Sequence, residues 1–424
     1  MSEESIYVRG GNPISGTVAI FGAKNSALKL MAASVMAADK VQLDNVPCIS
    51  DVSVMKEVLA VLGAHVHSGD EVGSDRHTLI IDTSTINSYE TPYELVAKMR
   101  ASISILGPLI ARFGKARVAM PGGCQIGARK LDMHITSLEA LGVEFKTDRG
   151  FIDASTPHGL TGAEVILDFP SVGATENLMM ASSMAEGTTI IRNAACEPEI
   201  EDLANFINAM GGDVSGAGTP NITVVGVKEM HGATHSTVGD RIEAGTFLAA
   251  GALTGGPVTV KGVNPSHLGL ALKKLRDMGC DVTTTLDSVT VTRSARLKPV
   301  DLQTLPHPGF PTDLQAQFMV LDAAADGRSI ITENVFENRF MFASELCRMG
   351  ADIKIDGHHA LIAGVDEFSG VPVSSTDLRG GAALVIAGLI ADGETRVDNI
   401  YHIDRGYEDY VGKLRLLGAD IERR

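Results

Sequence analysis

The sequence predicts an α/β fold of two pseudo-symmetric domains, each built from three copies of one unit. Three observations carry that expectation. A short signature recurs in VLGAHV, ALGVEF, AMGGDV, DMGCDV, RMGAD and LLGADI, whose glycines Gly63, Gly142, Gly211, Gly279, Gly350 and Gly418 stand 68 to 79 residues apart; self-similarity at a near-constant period marks a repeated supersecondary unit. Stretches such as EAGTFLAAGAL and GGAALVIAGLIA are small and apolar nearly all round, which is the pattern of helices buried on every side. The chain of 424 residues also exceeds the roughly 250 to 300 at which a single core stops growing.

Each unit reads in one order. A short strand, as in GTVAIFG, GAEVILDF or GVPVSST, leads into a helix of small and apolar residues: NSALKLMAASVMA, ENLMMASSMA, EAGTFLAAGAL, LQAQFMVLDAA or GGAALVIAGLIA. A second strand follows and ends in a turn with Asn or Gly, as in VQLDNV, TIIRNA, VTVKGV, IITENV and TRVDNI. An amphipathic helix such as EIEDLANFINAM comes next, and the signature glycine suits the left-handed residue that ends it before the last strand. Three units per domain place the boundary near MHGATHSTVGD, residues 230–240.

Composition narrows the function classes. A net charge of −16 repels nucleic acid and anionic membranes in bulk, so an acidic ligand must be gathered by a local cluster of Arg and Lys. The longest apolar stretch, AALVIAGLIA, falls far short of a membrane span. Five widely spaced cysteines with no CxxC pattern suggest neither a disulfide framework nor a zinc site, and fit a reducing cytoplasm. Cysteines of such a chain are expected to be buried and inert, with Cys124 as the exception. No P-loop and no strand-linked GxGxxG is present, and no metal site is expected: His65 and His67 share a strand face without a third ligand nearby, and His358 with His359 reads as a turn.

Chemistry concentrates in a few places. In the second unit the short turn after the second strand becomes AMPGGCQIGARKLDMHI, and an enlarged loop in a compact domain is more often functional than not. Its Cys124 lies between glycines and Arg129; a free thiol titrates near ~8.5 and a neighbouring cation lowers that value. Lys24, Arg100, Arg241, Arg339, Arg379 and Arg405 sit at the starts of buried helices or in turns. Helix N-termini add partial positive charge there, so an anion site is the better reading. Asp240, Asp313 and Asp377 open buried helices, either as N-caps or as carboxylates able to accept a hydroxyl proton; position alone leaves both open.

GAKN, MRAS, PGGCQIGAR, DRIEAGTF, FPTDLQAQF, VFENRF, TDLR and YHIDRGYE run in that order across nearly the whole chain. Together they make the sequence resemble the UDP-N-acetylglucosamine 1-carboxyvinyltransferase family, the enolpyruvyl transferases of bacterial peptidoglycan synthesis. The resemblance implies a two-domain inside-out α/β barrel of six repeats, with residues 23–238 as the first lobe and residues 1–22 joined to 239–424 as the second. It implies transfer of the enolpyruvyl group of phosphoenolpyruvate to the 3-hydroxyl of UDP-N-acetylglucosamine with release of phosphate. No cofactor, nucleic acid or membrane is involved, and a cytoplasmic monomer is expected.

By the same resemblance Cys124 is the general acid, able to form an adduct with phosphoenolpyruvate and open to alkylation by fosfomycin, and Asp313 is the general base. Lys24, Asn25, Arg129, Arg379 and Arg405 would bind phosphoenolpyruvate. Asn25, Arg100, Arg129, Lys130, Leu131, Asp132, Met133, Ser171, Val172, Gly173, Asp313 and Val335 would bind the sugar nucleotide, with loop 121–134 as a lid. The chain departs from the family pattern at Lys130, where members often carry proline, and near Phe169, where some carry a basic residue. The related transfer to shikimate 3-phosphate, and a catalytically silent binding protein, are the alternatives; PGGC speaks against the first, and Cys124, Asp313, Lys24 and Arg405 speak against the second.

Overall fold

A computed structural model describes residues 4–72, 75–98, 100–120 and 131–424. They divide into two compact units, residues 22–120 with 131–238 and residues 4–21 with 239–424, called here the N-terminal and C-terminal units. Six inner helices hold the cores. In the N-terminal unit these are α1 (Lys24–Ala33), α2 (Leu106–Phe113) and α3 (Val172–Ser182). In the C-terminal unit they are α4 (Arg241–Thr254), α5 (Gln315–Ala323) and α6 (Leu378–Gly388).

The all-round apolar pattern translates directly into burial. Every residue from Arg241 to Leu253 in α4, all of α5, and Arg379 to Gly388 in α6 are buried. Helices this enclosed approach closely, and small residues permit it: a Cβ on Gly107 of α2 would lie 2.5 Å from the Asn177 carbonyl oxygen of α3. Each unit therefore has helices inside and sheets outside, an inside-out α/β barrel.

The repeat shows in backbone conformation. All six signature glycines have positive φ, from 92° to 105°, a region that costs glycine little. Each ends or follows an outer helix, such as Ser50–Leu62 or Pro198–Ala209, and turns the chain into a strand, such as His65–Ser68 or Asp213–Ser215. The sheets share one pattern. Glu164–Ile166 runs parallel to Thr188–Arg192, which pairs antiparallel with Asn221–Val225, which pairs antiparallel with Asp213–Ser215. Five four-stranded sheets follow that order, and in the second repeat the parallel edge shrinks to the single bridge Glu90↔Arg117.

The sequence reading stops each repeat at the strand after the glycine, whereas the structure adds a further hairpin strand: Leu79–Asp82, Phe151–Ser155, Asn221–Val225, Ser288–Thr292 or His359–Ala363. His359 therefore opens a strand and only His358 lies in the turn. Distant strands complete the sheets. Thr234–Ser236 supplies the parallel edge beside Lys40–Asp44, Gly16–Ala19 does the same beside Val258–Lys261, and Ile6–Arg9 inserts between Glu394–Asp398 and Asp420–Arg423. Pairing of this kind satisfies backbone groups that an open edge would leave exposed.

Charged pairs also cross the interiors. Lys29 of α1 meets Glu176 of α3 at 2.5 Å, and Lys413 meets Glu243 of α4 at 2.6 Å. Burial pushes both carboxyls up to about 7 despite the opposing lysines. The cysteine expectation needs correction: among the described cysteines only Cys280 is buried, while Cys48 and Cys347 are exposed and Cys196 is intermediate. Cys347 follows the inward-facing Leu346 on a short helix and so points outward. Among the described residues no helix is long and apolar enough to cross a membrane.

Candidate active site

In the C-terminal unit α4 and α6 begin on capped turns. Asp240 accepts hydrogen bonds from the Ile242 and Glu243 amides, and Asp377 from those of Arg379 and Gly380, so the N-cap reading holds for both. Asp313 differs. It lies in the turn Thr312–Leu314 ahead of α5, which has no side-chain cap. Its carboxylate instead accepts from Arg339 Nη2 at 2.8 Å and from Arg379 Nη2 at 3.4 Å.

Both guanidinium groups are 4% exposed against 25% for the Asp313 side chain, so the carboxylate is the wet end of the cluster. Burial alone would pull the Arg379 proton affinity down, yet Tyr407, Asp313 and Asp240 outweigh it and raise it. Arg379 stands 5.1 Å from the Tyr407 ring, and its Nε and Nη1 are buried without a hydrogen-bond partner among the described residues. Buried donors of a cation are rarely left so. An arriving carboxylate or phosphate oxygen would complete them.

A buried polar network steadies this cluster from the core side. The Tyr407 hydroxyl and Thr246 Oγ1 lie 2.9 Å apart. The Gln317 amide, turned so that its oxygen faces both hydroxyls, donates its nitrogen to the Asp313 and Leu314 carbonyls at 3.2 Å. Burial raises the Tyr407 proton affinity, and Arg379 partly offsets this. Arg405 follows the short helix Tyr401–Asp404 and is partly exposed. Burial lowers the His402 pKa and Arg405 lowers it further, while Asp377 opposes them.

In the N-terminal unit Lys24 opens α1 and is ion-paired with Asp51 at 2.8 Å, the two side chains being 11% and 4% exposed. Asn25 beside it is exposed. Ser171 caps α3, accepting from the Ala174 amide at 3.3 Å. The Val172 and Gly173 amides then belong to the open first turn, where anions bind.

Leu131, Asp132 and Met133 form the start of the helix Asp132–Glu139, and His134 brings that start onto α3. A Cβ on Gly173 would lie 3.0 Å from His134 Cε1. Asn177 Nδ2 donates to His134 Nδ1 at 3.0 Å while Asn177 Oδ1 accepts from the Gly107 amide. Residues 131–133 and 171–173 are thus neighbours. Arg100 begins a 3₁₀ turn, Arg100–Ile105, and its side chain lies outside the described residues. Cys124, Arg129 and Lys130 lie outside them as well.

Sequence reasoning missed Asp51, His134, Gln317 and Tyr407. His134, Gln317 and Tyr407 lie inside motifs already singled out, but each acts through a neighbour distant in sequence, which no local pattern reports.

A fold of helices inside sheets, with arginines around one carboxylate and open helix starts, fits an enzyme that acts on small molecules. A family model described as EPSP synthase (3-phosphoshikimate 1-carboxyvinyltransferase) matches residues 8–414. The chain is 49% identical over 421 residues to UDP-N-acetylglucosamine 1-carboxyvinyltransferase 1 of Staphylococcus aureus, covering 99% of each. It is 50% identical over 418 residues to UDP-N-acetylglucosamine 1-carboxyvinyltransferase 2 of Clostridium tetani, again covering 99% of each. It superposes on the crystal structure of the enolpyruvyl transferase NikO from Streptomyces tendae with a TM-score of 0.89 at 28% identity, covering 99% of both chains. The chain belongs to the carboxyvinyl transferase family, an enolpyruvyl transferase whose named relatives are UDP-N-acetylglucosamine 1-carboxyvinyltransferases.

Proposed function

We propose that the protein transfers the enolpyruvyl group of phosphoenolpyruvate to the 3-hydroxyl of UDP-N-acetylglucosamine, releasing phosphate, as an early step of peptidoglycan synthesis. The observation that carries this is Asp313, an acceptor-only carboxylate held by Arg339 and Arg379, with two donors of Arg379 still unspent.

The chemistry needs a base and an acid. Asp313 takes the proton of the sugar hydroxyl as its oxygen bonds to C2 of phosphoenolpyruvate. Cys124, by the family resemblance, delivers a proton to the terminal methylene. Phosphate then leaves C2 as the new methyl group loses a proton, which restores the double bond. By the family resemblance, Lys24, Asn25, Arg129, Arg379 and Arg405 bind the carboxylate and phosphate of phosphoenolpyruvate. Fixed cations of this kind stabilise charge as it moves to the leaving phosphate.

For the sugar nucleotide, the Ser171–Gly173 helix start offers amides to the diphosphate. Arg100, Lys130, Leu131, Asp132 and Met133 line the same ligand, and Val335 contacts it from the turn that follows Glu333. A cytoplasmic monomer without cofactor fits this chemistry, since both substrates are soluble anions and no redox step occurs.

The family model's description favours a second acceptor, 3-phosphoshikimate. Incubating the full chain with phosphoenolpyruvate and each acceptor separately, and measuring phosphate, distinguishes them. Release with UDP-N-acetylglucosamine and a sugar product gaining one enolpyruvyl group is expected. Release with the shikimate ester alone would overturn the assignment.

A further inference from the structure

We infer that Glu333 is a positioning residue that sets the Asp313 carboxylate against the Val335 turn; the inference rests on the proposed role of Asp313. Glu333 directly follows the strand Arg328–Thr332 and is fully buried. One carboxylate oxygen accepts from the amides of Val335 at 2.8 Å and Phe336 at 3.0 Å, and the other accepts from the hydroxyl of Thr312 at 2.8 Å. Among the described residues, the partners of the carboxylate therefore belong to two short segments, one ending next to Asp313 and one carrying Val335. The strand end itself is pinned, since Thr304 Oγ1 accepts from the Asn334 amide at 2.9 Å and the Thr304 carbonyl from its side chain at 3.1 Å.

These contacts close a ring. From Thr312 the chain passes to Asp313, whose carboxylate takes Arg339 at 2.8 Å. The Arg339 guanidinium stands 5.3 Å from the Phe336 ring, and the Phe336 amide returns to Glu333. The base, the guanidinium that orients it and the Val335 turn are thereby fixed relative to one another by a group that lies behind them. Removing the carboxylate opens the ring at both segments at once.

Hydrogen-bond chemistry says which replacements should succeed. Two of the three donors are backbone amides, which can only donate, whereas the Thr312 hydroxyl can turn to accept. Glu333→Gln can therefore keep its oxygen on the amides and give its NH2 to Thr312, preserving geometry without charge. Glu333→Ala leaves all three donors unmet. Thr312→Val keeps the Val335 turn clamped and releases only the Asp313 side.

The experiment measures phosphate release by the full-length wild type and the three variants with phosphoenolpyruvate and UDP-N-acetylglucosamine. It records kcat, KM and the pH dependence of kcat, with thermal unfolding alongside. Glu333→Gln is expected to keep kcat within about tenfold of wild type. Glu333→Ala should lose roughly a hundredfold, the scale of a misplaced catalytic group, with a displaced acidic limb in its pH profile. Thr312→Val should lose about tenfold in kcat with that limb moved, an unchanged melting temperature and an unchanged KM for the sugar nucleotide.

If Glu333→Ala does not fold, Thr312→Val decides. Wild-type activity together with an unmoved pH limb and unchanged kcat in Thr312→Val overturns the inference and leaves the enzyme assignment standing. An inactive wild type removes both.

Discussion

Asp313→Asn separates what the carboxylate does for catalysis from what it does for its neighbours. The substitution preserves shape and one acceptor oxygen, so Arg339 Nη2, now 2.8 Å away, keeps a hydrogen bond while the charge disappears. Loss of the proposed general base should lower kcat by about 10²–10⁴, which at ~1.4 kcal/mol per tenfold is about 3–5 kcal/mol of transition-state stabilisation. Stability should fall as well. Two guanidinium groups, each 4% exposed, would lose their shared anion, and breaking a buried pair costs about 3–5 kcal/mol at most. Water reaches Asp313, whose side chain is 25% exposed, and one hydrogen bond survives, so about 1–3 kcal/mol is the expected loss. Phosphate release reports the first effect and thermal unfolding the second. A variant with kcat within tenfold of wild type would refute the base assignment, and one more stable than wild type would refute the electrostatic account of the cluster.

Two further outcomes follow from buried groups. Asp322 of α5 is fully buried, accepts from the Val300 amide at 2.9 Å, and leaves its other oxygen without a hydrogen-bond partner among the described residues; burial raises its pKa from 3.8 to about 7. Because the folded pKa lies above the unfolded one, the stability from this group is fully present below 3.8 and is lost as pH rises towards 7. Asp322→Asn, neutral throughout, should therefore stabilise the protein more at about pH 8 than at about pH 5, by roughly 2–3 kcal/mol in urea unfolding; equal gains at both would contradict the assigned burial cost. Gly173→Ala should raise KM for UDP-N-acetylglucosamine with kcat little changed, because the new Cβ would press on His134 at 3.0 Å and displace residues 131–133. Helical Gly→Ala normally stabilises by about 0.5–1 kcal/mol, so a full gain of that size with unchanged KM would show that the contact does not constrain the site.

The repeat was legible because its signals are local. A glycine that must take positive φ after a helix, and a helix apolar on every side, are visible in a handful of consecutive residues. The hairpin strand of each repeat went unread because segments such as FIDAS and NITVV are five residues long and partly polar, and their strand identity comes from the neighbours they pair with. The arginines and Asp313 could be selected as a set, since they recur at corresponding helix starts. Which aspartate was a cap and which was held by guanidinium groups could not be, because both roles use the same residue type at the same kind of position.

By itself, then, the sequence determined the six-fold unit, the buried helices, the family and the residues able to carry anion chemistry, all of which depend on spacing and residue type along the chain. Only the tertiary structure decided that Ile6–Arg9 completes the sheet of the last repeat, that Asp313 meets Arg339 and Arg379, that His134 lies on Gly173, and that Glu333 joins Thr312 to the Val335 turn. Each of those is a contact between segments far apart in sequence. Hydrogen-bond partners and ionic neighbours are properties of distance in space, and they exist only once the helices have packed and the distant strands have closed the sheets around them.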